Sequence, residues 1–457
     1  MIHSLQGAMV IDLCTLVLCS LIALRCASSF LHPALMMLGC HTYIVTLRLF
    51  QLLRGATPMW YTFWWPVALE EVTRAAIASD VALLAMSSAW ILVRFGGMRR
   101  VVRPRKLRTL LSVPRVRTFA LLTTLMSAVL ILILGPGRLQ LPPTTANSTS
   151  GYVSAVSGWG PWGCCLLHYL YGFPFPLICF TLITLVVWML LSHYRGIVII
   201  PLVFLLFTWL ARRKSRRLPL ALIPAAVILW LIWLPMKPII YSLQKGKSAS
   251  EAVSEGIHFA FENFGKENGS AIDFQFLDMI GSTMTLVDIH GTHYWGSTIA
   301  PLFVAPVPRA LWREKPYPNQ YQLELDIPIR NMAALKMTAG LVGESYADFG
   351  YFGVIFVPFL VSIAFSSAYS RLAGTSLLSP GSLLYLICLS TFMQLYRDGL
   401  ISAVTFPLVN CGPIAWTAIS HWIWPPGPNG KQMSQDVRSA GVEYLPLRWT
   451  SRSLPSA

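Results

Sequence analysis

Charge is what this chain has least of. Asp, Glu, Lys and Arg make up 12% of its 457 residues, against 55% hydrophobic, and the mean hydropathy is +0.59. A soluble domain of this length cannot bury so much apolar surface, so a water-soluble fold is excluded. Period-two alternation is missing as well. The apolar segments are continuous runs of about 16–22 residues, which excludes a transmembrane barrel. The opening "MIHSLQGAMVIDLC" lacks the basic stretch of a cleaved leader and is expected to lead directly into a first span. Cysteine is scarce where it would count. All nine lie in or beside apolar runs and none falls in the polar stretch 237–349, so buried free thiols are expected rather than disulfides or a zinc site.

What is present is a succession of apolar runs near 8–24, 33–53, 74–94, 118–135, 157–172, 175–193, 196–211, 218–236, 350–370, 380–396 and 400–423. They predict an all-α polytopic membrane protein of about eleven transmembrane helices, within a range of about ten to twelve. The net charge of +16 sits mostly in short loops and the tail. Nine Lys/Arg fall in 94–117 and five in "ARRKSRR" (211–217). Basic loops beside spans mark the cytoplasmic side, so the charge states topology and no nucleic-acid partner is expected. Both loops can be cytoplasmic only if an even number of crossings separates them, which is why 157–172 and 175–193 count as two spans.

This arrangement divides the chain into an N-terminal bundle (1–236), a loop of 113 residues outside the membrane (237–349), C-terminal helices (350–423) and a cytoplasmic tail (424–457). The loop differs in chemistry from all the others, holding 12 of the chain's 19 acidic residues against nine Lys/Arg. Its first part, "KGKSASEAVSEGIHFAFENFGKENGS", has the spacing of an amphipathic surface helix. A connection this long is either a folded functional unit or disordered, and its aromatics favour folding. No internal repeat is visible, which gives an inverted-repeat transporter no support.

The loop also contains "PVPRALWREKPYPNQ" (306–320), with four prolines and several charges between apolar neighbours. Pro308, Arg309, Leu311, Trp312, Lys315 and Pro316 are followed, at the entry to the next span, by Gly343, Glu344, Tyr346, Phe349, Gly350 and Gly353. Over these roughly 60 residues the chain resembles the Wzy-type O-antigen and oligosaccharide repeat-unit polymerases, and His32-Pro33 at the second span is similar to that family too. The resemblance departs at Arg313, where many relatives carry a proline.

The resemblance implies a glycosyltransferase in a bacterial cytoplasmic (inner) membrane that builds lipopolysaccharide O-antigen, capsule or exopolysaccharide. Its substrate would be an undecaprenyl-diphosphate-linked oligosaccharide. A chain-length-determining co-polymerase and membrane lipid would be its partners, and no cofactor is needed. The absence of a Gly-rich nucleotide loop agrees with a lipid-linked donor. A diphosphate leaving group needs cationic donors at headgroup level, and Arg binds phosphate oxygens in pairs. Arg309, Lys315, Arg330 and Arg195 are the candidates, with Trp312 and Tyr346 beside them and Glu344 as base for the acceptor hydroxyl. Each has a plainer reading. Arg309 could snorkel to lipid phosphate, Glu344 could cap a helix, Arg330 could pair with Glu324 or Asp326, and Trp312 could be an interfacial aromatic. Asp288, His290 and His293 are too sparse to argue a metal, and none is expected. Asp12, Arg48 and Asp80 lie inside spans, where pairing between helices is the common explanation. An O-antigen ligase or a flippase for the same glycans are the competing functions.

Overall fold

The computed structural model describes residues 4–27, 29–56, 60–61, 65–95, 111–134, 156–192, 196–213, 247–263, 276–304, 339–372, 377–400 and 402–424, with isolated positions at 239, 242, 307, 311 and 312. Apart from a two-residue strand pair, Trp60–Tyr61 with Trp65–Pro66, the elements among the described residues are helices. Among the described residues five helices are long and apolar enough to cross a membrane: Leu5–Cys26, Pro33–Leu53, Leu69–Phe95, Val113–Ile133 and Gly340–Leu372. Ser402–Asn410 and Gly412–Ile423 make a sixth if they form one crossing, although they meet at a bend of 91°. Outward-facing Val17, Leu21 and Leu24, with Leu125, Leu132 and Ile133, give the helices the apolar exterior that lipid requires.

Helix α1 (Leu5–Cys26) begins at Ser4, whose Oγ accepts from Gly7 N at 3.1 Å. Helix α2 (Pro33–His41) starts on His32, whose Nδ1 accepts from Ala34 N at 3.2 Å, with Pro33 in the first turn, where its missing N–H costs nothing. A π-turn, Thr42–Thr46, joins α2 to α3 (Leu47–Leu53), so the expected span 33–53 is one path of three pieces. Helix α4 (Leu69–Phe95) lies parallel to α1. Cys19 on α1 meets Leu83 O and Ser87 Oγ, whereas Met37 on α2 meets Trp90 Nε1 at 3.3 Å from the opposite direction.

Beyond these come α5 (Val113–Leu134), α6 (Gly160–Tyr171), α7 (Phe175–Ser192) and α8 (Gly196–Arg212). They correspond to the expected spans at 118–135, 157–172, 175–193 and 196–211, but α6 has only 12 residues. The expected span 218–236 lies outside the described residues. Helix α9 (Ala249–Asn263) is mostly exposed. Its Ser248 and Glu251 cap each other, and those hydrogen bonds hold the Glu251 carboxyl below the usual carboxylate range.

Helix α10 (Phe276–His290) falls within the stretch expected to form the outer loop, yet its face Phe276, Leu277, Met279, Ile280, Met284 and Val287 is buried against the spans. A short helix, α11 (Ala300–Val304), follows. Helix α12 (Gly340–Leu372) runs parallel to α4, with Tyr351 beside Arg74 near the start and Ser362 donating to Met86 O at 2.8 Å further on. It is broken at Phe349 (φ −139°, ψ 17°) and Gly350 (φ 61°, ψ −148°). A side chain at Gly350 would be strained, and a Cβ at Gly353 would lie 1.9 Å from Ser345 O, so the spacing Phe-Gly-x-x-Gly is what the break needs.

The expected span 380–396 is two helices, α13 (Pro380–Ser390) and α14 (Phe392–Asp398). The expected span 400–423 is α15 (Ser402–Thr405), a π-turn over Phe406–Asn410, and α16 (Gly412–Ile423). Two apolar cores result. The first gathers α1 to α4, α10, α12 and α14, and the second gathers α5, α6, α8, α13 and α16.

Candidate functional site

The residues of interest converge where α4, α10 and α12 begin or end together. Arg74 stands in the second turn of α4. Its Nη2 donates to Tyr346 Oη at 2.6 Å and its Nε to Tyr351 Oη at 2.9 Å, while Nη1 donates to the Asp288 carboxylate. Tyr346 in turn donates to Asp288 Oδ1 at 2.6 Å. The guanidinium also lies over both tyrosine rings, 5.3 and 5.6 Å from their centroids. Arg74 and Asp288 are 31% and 42% exposed, so the group forms a mouth rather than a core.

The chain just after α10 closes over the break in α12. Breaking the helix frees backbone carbonyls, and Tyr294 N and Trp295 N take those of Ala347 and Asp348, each at 3.0 Å. The Asp348 carboxylate accepts from Gly296 N at 3.0 Å and from the Thr298 hydroxyl. His293 stands over Gly350 and meets the edge of Tyr346 at 6.1 Å between centroids.

Glu344 points the other way. It is buried, and its Oε2 accepts from Leu400 N at 2.8 Å. Gly399, with φ +87°, packs so closely that a Cβ there would lie 2.1 Å from the Glu344 carboxyl carbon. The Arg397–Asp398 ion pair flanks this turn, and Arg397 covers the Phe276 ring at 5.1 Å. Glu344 therefore ties the start of α12 to the turn after α14.

Of the residues singled out in sequence, Tyr346 and Glu344 are thus two residues apart on opposite sides of a single helix turn. Trp312 is 40% exposed. Arg309, Lys315, Arg330 and Arg195 lie outside the described residues. Sequence reasoning missed Arg74 and Tyr351. Arg74 looks like an ordinary charge at the edge of a span, and only the fold reveals its tyrosine and aspartate partners. Asp288 and His293 drew attention as a sparse metal pattern, whereas their neighbours here are Arg74, Tyr346 and the Gly350 backbone.

Chemically the mouth can bind an oxyanion. Arg74 offers a planar fork with aromatic backing, and Asp288 occupies part of it as an exchangeable internal anion. Comparison with family models, with curated proteins and with solved structures gives no match.

Proposed function

We propose that the chain is a membrane glycosyltransferase of O-antigen polymerase type. It would join undecaprenyl-diphosphate-linked oligosaccharide units into a surface polysaccharide at the outer face of the bacterial cytoplasmic membrane. The observation that carries this reading is the paired pattern Pro308-Arg309-x-Leu311-Trp312 and Gly343-Glu344-x-Tyr346, followed by Phe349-Gly350 and Gly353. Arg74 beside Tyr346 adds support, because it sets a cation at the helix ends where a lipid diphosphate would lie. The finer topology belongs to the same proposal: about eleven spans, the loops at 94–117 and 211–217 cytoplasmic, and 237–349 outside.

In the transfer, an acceptor hydroxyl oxygen attacks the anomeric carbon of the donor glycan. The bond from that carbon to the diphosphate breaks, and the lipid diphosphate leaves with the bonding electron pair. Arg309, Lys315, Arg330, Arg195 and Arg74 would stabilise the growing negative charge. The acceptor proton needs a base. Asp288 is exposed beside Tyr346 and takes that role, whereas the burial of Glu344 against Leu400 favours a positioning role.

The test is a deletion in the host, read by gel for polysaccharide length and complemented with variants. Loss of the ladder with a single unit still attached to its carrier or core supports a polymerase. Full-length polymer accumulating on the lipid carrier would indicate a ligase, and single units held on the inner face would indicate a flippase. Arg309→Ala and Asp288→Asn are expected to abolish the ladder at normal expression. Glu344→Gln, which keeps an acceptor for Leu400 N, is expected to retain it. Loss in Glu344→Gln with Asp288→Asn active would return the base to Glu344.

A further inference from the structure

Away from that mouth, three ionisable side chains meet inside the first core. Asp12 on α1, His41 at the end of α2 and Asp80 on α4 each bring one ligand atom within 4.8 Å of the others. Their side chains are 0%, 0% and 2% exposed. His41 Nε2 lies 2.8 Å from Asp12 Oδ1 and 3.2 Å from Asp80 Oδ1, and its Nδ1 lies 3.1 Å from Tyr396 Oη. A ring nitrogen carries at most one hydrogen, which the nearer Asp12 would receive. Asp12 Oδ2 and both Asp80 oxygens accordingly have no hydrogen-bond donor.

An ordinary polar contact between helices accounts for Asp12 and His41 but leaves Asp80 with only the longer 3.2 Å approach to the same nitrogen. Two carboxylates and a neutral imidazole carry two negative charges in a place without water-exposed surface, which is costly unless something positive joins them. The buried cation of the neighbouring helix does not do so, because Arg48 makes a two-pronged bond to Asp278 at 2.9 and 2.6 Å. Two added protons would cancel the charge, yet they would leave carboxylate oxygens still without partners. One dication cancels the charge and engages the free lone pairs together.

We propose that Asp12, His41 and Asp80 form a binding site for one divalent transition-metal ion of the zinc or manganese class. Imidazole nitrogen with carboxylate oxygen suits those ions, whereas calcium and magnesium take oxygen alone. Tyr396 is the outer partner. When an ion takes the place of the Nε2 hydrogen, the Tyr396 hydroxyl 3.1 Å away can accept from Nδ1–H, which leaves the Nε2 lone pair facing the carboxylates. The π-turn Thr42–Thr46 begins immediately after His41, a backbone irregularity that often accompanies functional positions. The ligands come from three helices, so no local spacing betrays the site in sequence, where no metal was expected. The site stands independently of the proposed sugar transfer, and its ion would tie α1, α2 and α4 together.

The test is elemental mass spectrometry on the full chain, expressed in medium supplemented with Zn²⁺ or Mn²⁺ and purified in detergent without chelator. About one ion per chain is expected in the wild type, as for a single closed site. His41→Gln and Asp80→Asn should lose it, and Tyr396→Phe should weaken affinity roughly 10–100-fold. His168→Gln, a buried histidine of the second core, should keep it. Folded wild type carrying no stoichiometric ion would overturn the proposal, as would a folded Asp80→Asn that retains the ion. If the variants fail to fold, the wild-type measurement alone decides.

Discussion

The two cores are built from similar apolar side chains but treat charge in opposite ways. Among the described residues, the buried acids and the buried arginine all belong with the first: Asp12, Arg48, Asp80, Asp278, Glu344, Asp348 and Asp398. The second core buries hydroxyls, thiols and the histidines His168 and His421 and, among the described residues, no Asp, Glu, Lys or Arg. Its polar side chains serve mainly to complete backbone hydrogen bonding. Trp188 Nε1 and Trp159 Nε1 donate at 2.7 Å to the carbonyls of Ser157 and Val409, and Arg212 donates to Tyr169 O and Leu170 O. Short and interrupted helices leave such carbonyls open, and in hydrocarbon they must be satisfied from within. The second region therefore spends its polarity on staying folded, and the first holds polarity beyond what folding asks.

Arg48→Ala would strike that difference hardest. Asp278 would be left charged and buried, and a loss of about 3–5 kcal/mol is expected. Thermal unfolding in detergent should show it, and a paired Arg48→Met, Asp278→Leu exchange should recover most of the loss. A single variant as stable as the wild type would mean that the first core tolerates charge as freely as water does. Gly399→Ala is the next in size. Its left-handed backbone and the Glu344 carboxyl both oppose a methyl group, at a cost of about 1–3 kcal/mol. An unchanged melting temperature would show that the Glu344 tie to Leu400 is slack. Trp188→Phe on α7, which packs against Gly160 of α6 beside the second core, removes one donor to Ser157 O, for about 0.5–1.5 kcal/mol. Under the proposed polymerase function, glycan chain length per folded molecule should not change, and a shift in it would erase the functional contrast between the cores.

Hydropathy alone made α1, the path α2–α3, α4 and α5 legible, because a long apolar run is a local property. The interruptions after Ser390 and at Cys411 were not, since the broken pieces are as apolar as a continuous span would be. Thr391 and Gly412-Pro413 mark them only once the fold is known. Helix α10 was hidden for the opposite reason. "FLDMIGSTMTLVDIH" is too polar and too short for a span, and its place in the core depends on Asp278 finding Arg48, 230 residues earlier. The pattern from Gly343 to Gly353 was visible as a pattern, but half of its logic is the architecture of a broken helix. His41 carried the same warning as Asp12 and Asp80, a titratable group within an apolar run. What these groups meet is decided by helix packing, which composition does not record.

The break at Phe349–Gly350 also bears on the order in which the molecule is made. The carbonyls of Ala347 and Asp348 are capped by Tyr294 and Trp295, from chain that leaves the ribosome about fifty residues before those carbonyls. Synthesis proceeds from the N-terminus, so the donors are already present when the broken helix arrives. A membrane-inserting helix with open carbonyls would be a poor substrate for insertion by itself. Here it arrives at a partner that has been waiting, and moving residues 291–298 behind α12 in a permuted chain would leave the carbonyls before its break uncapped during biogenesis.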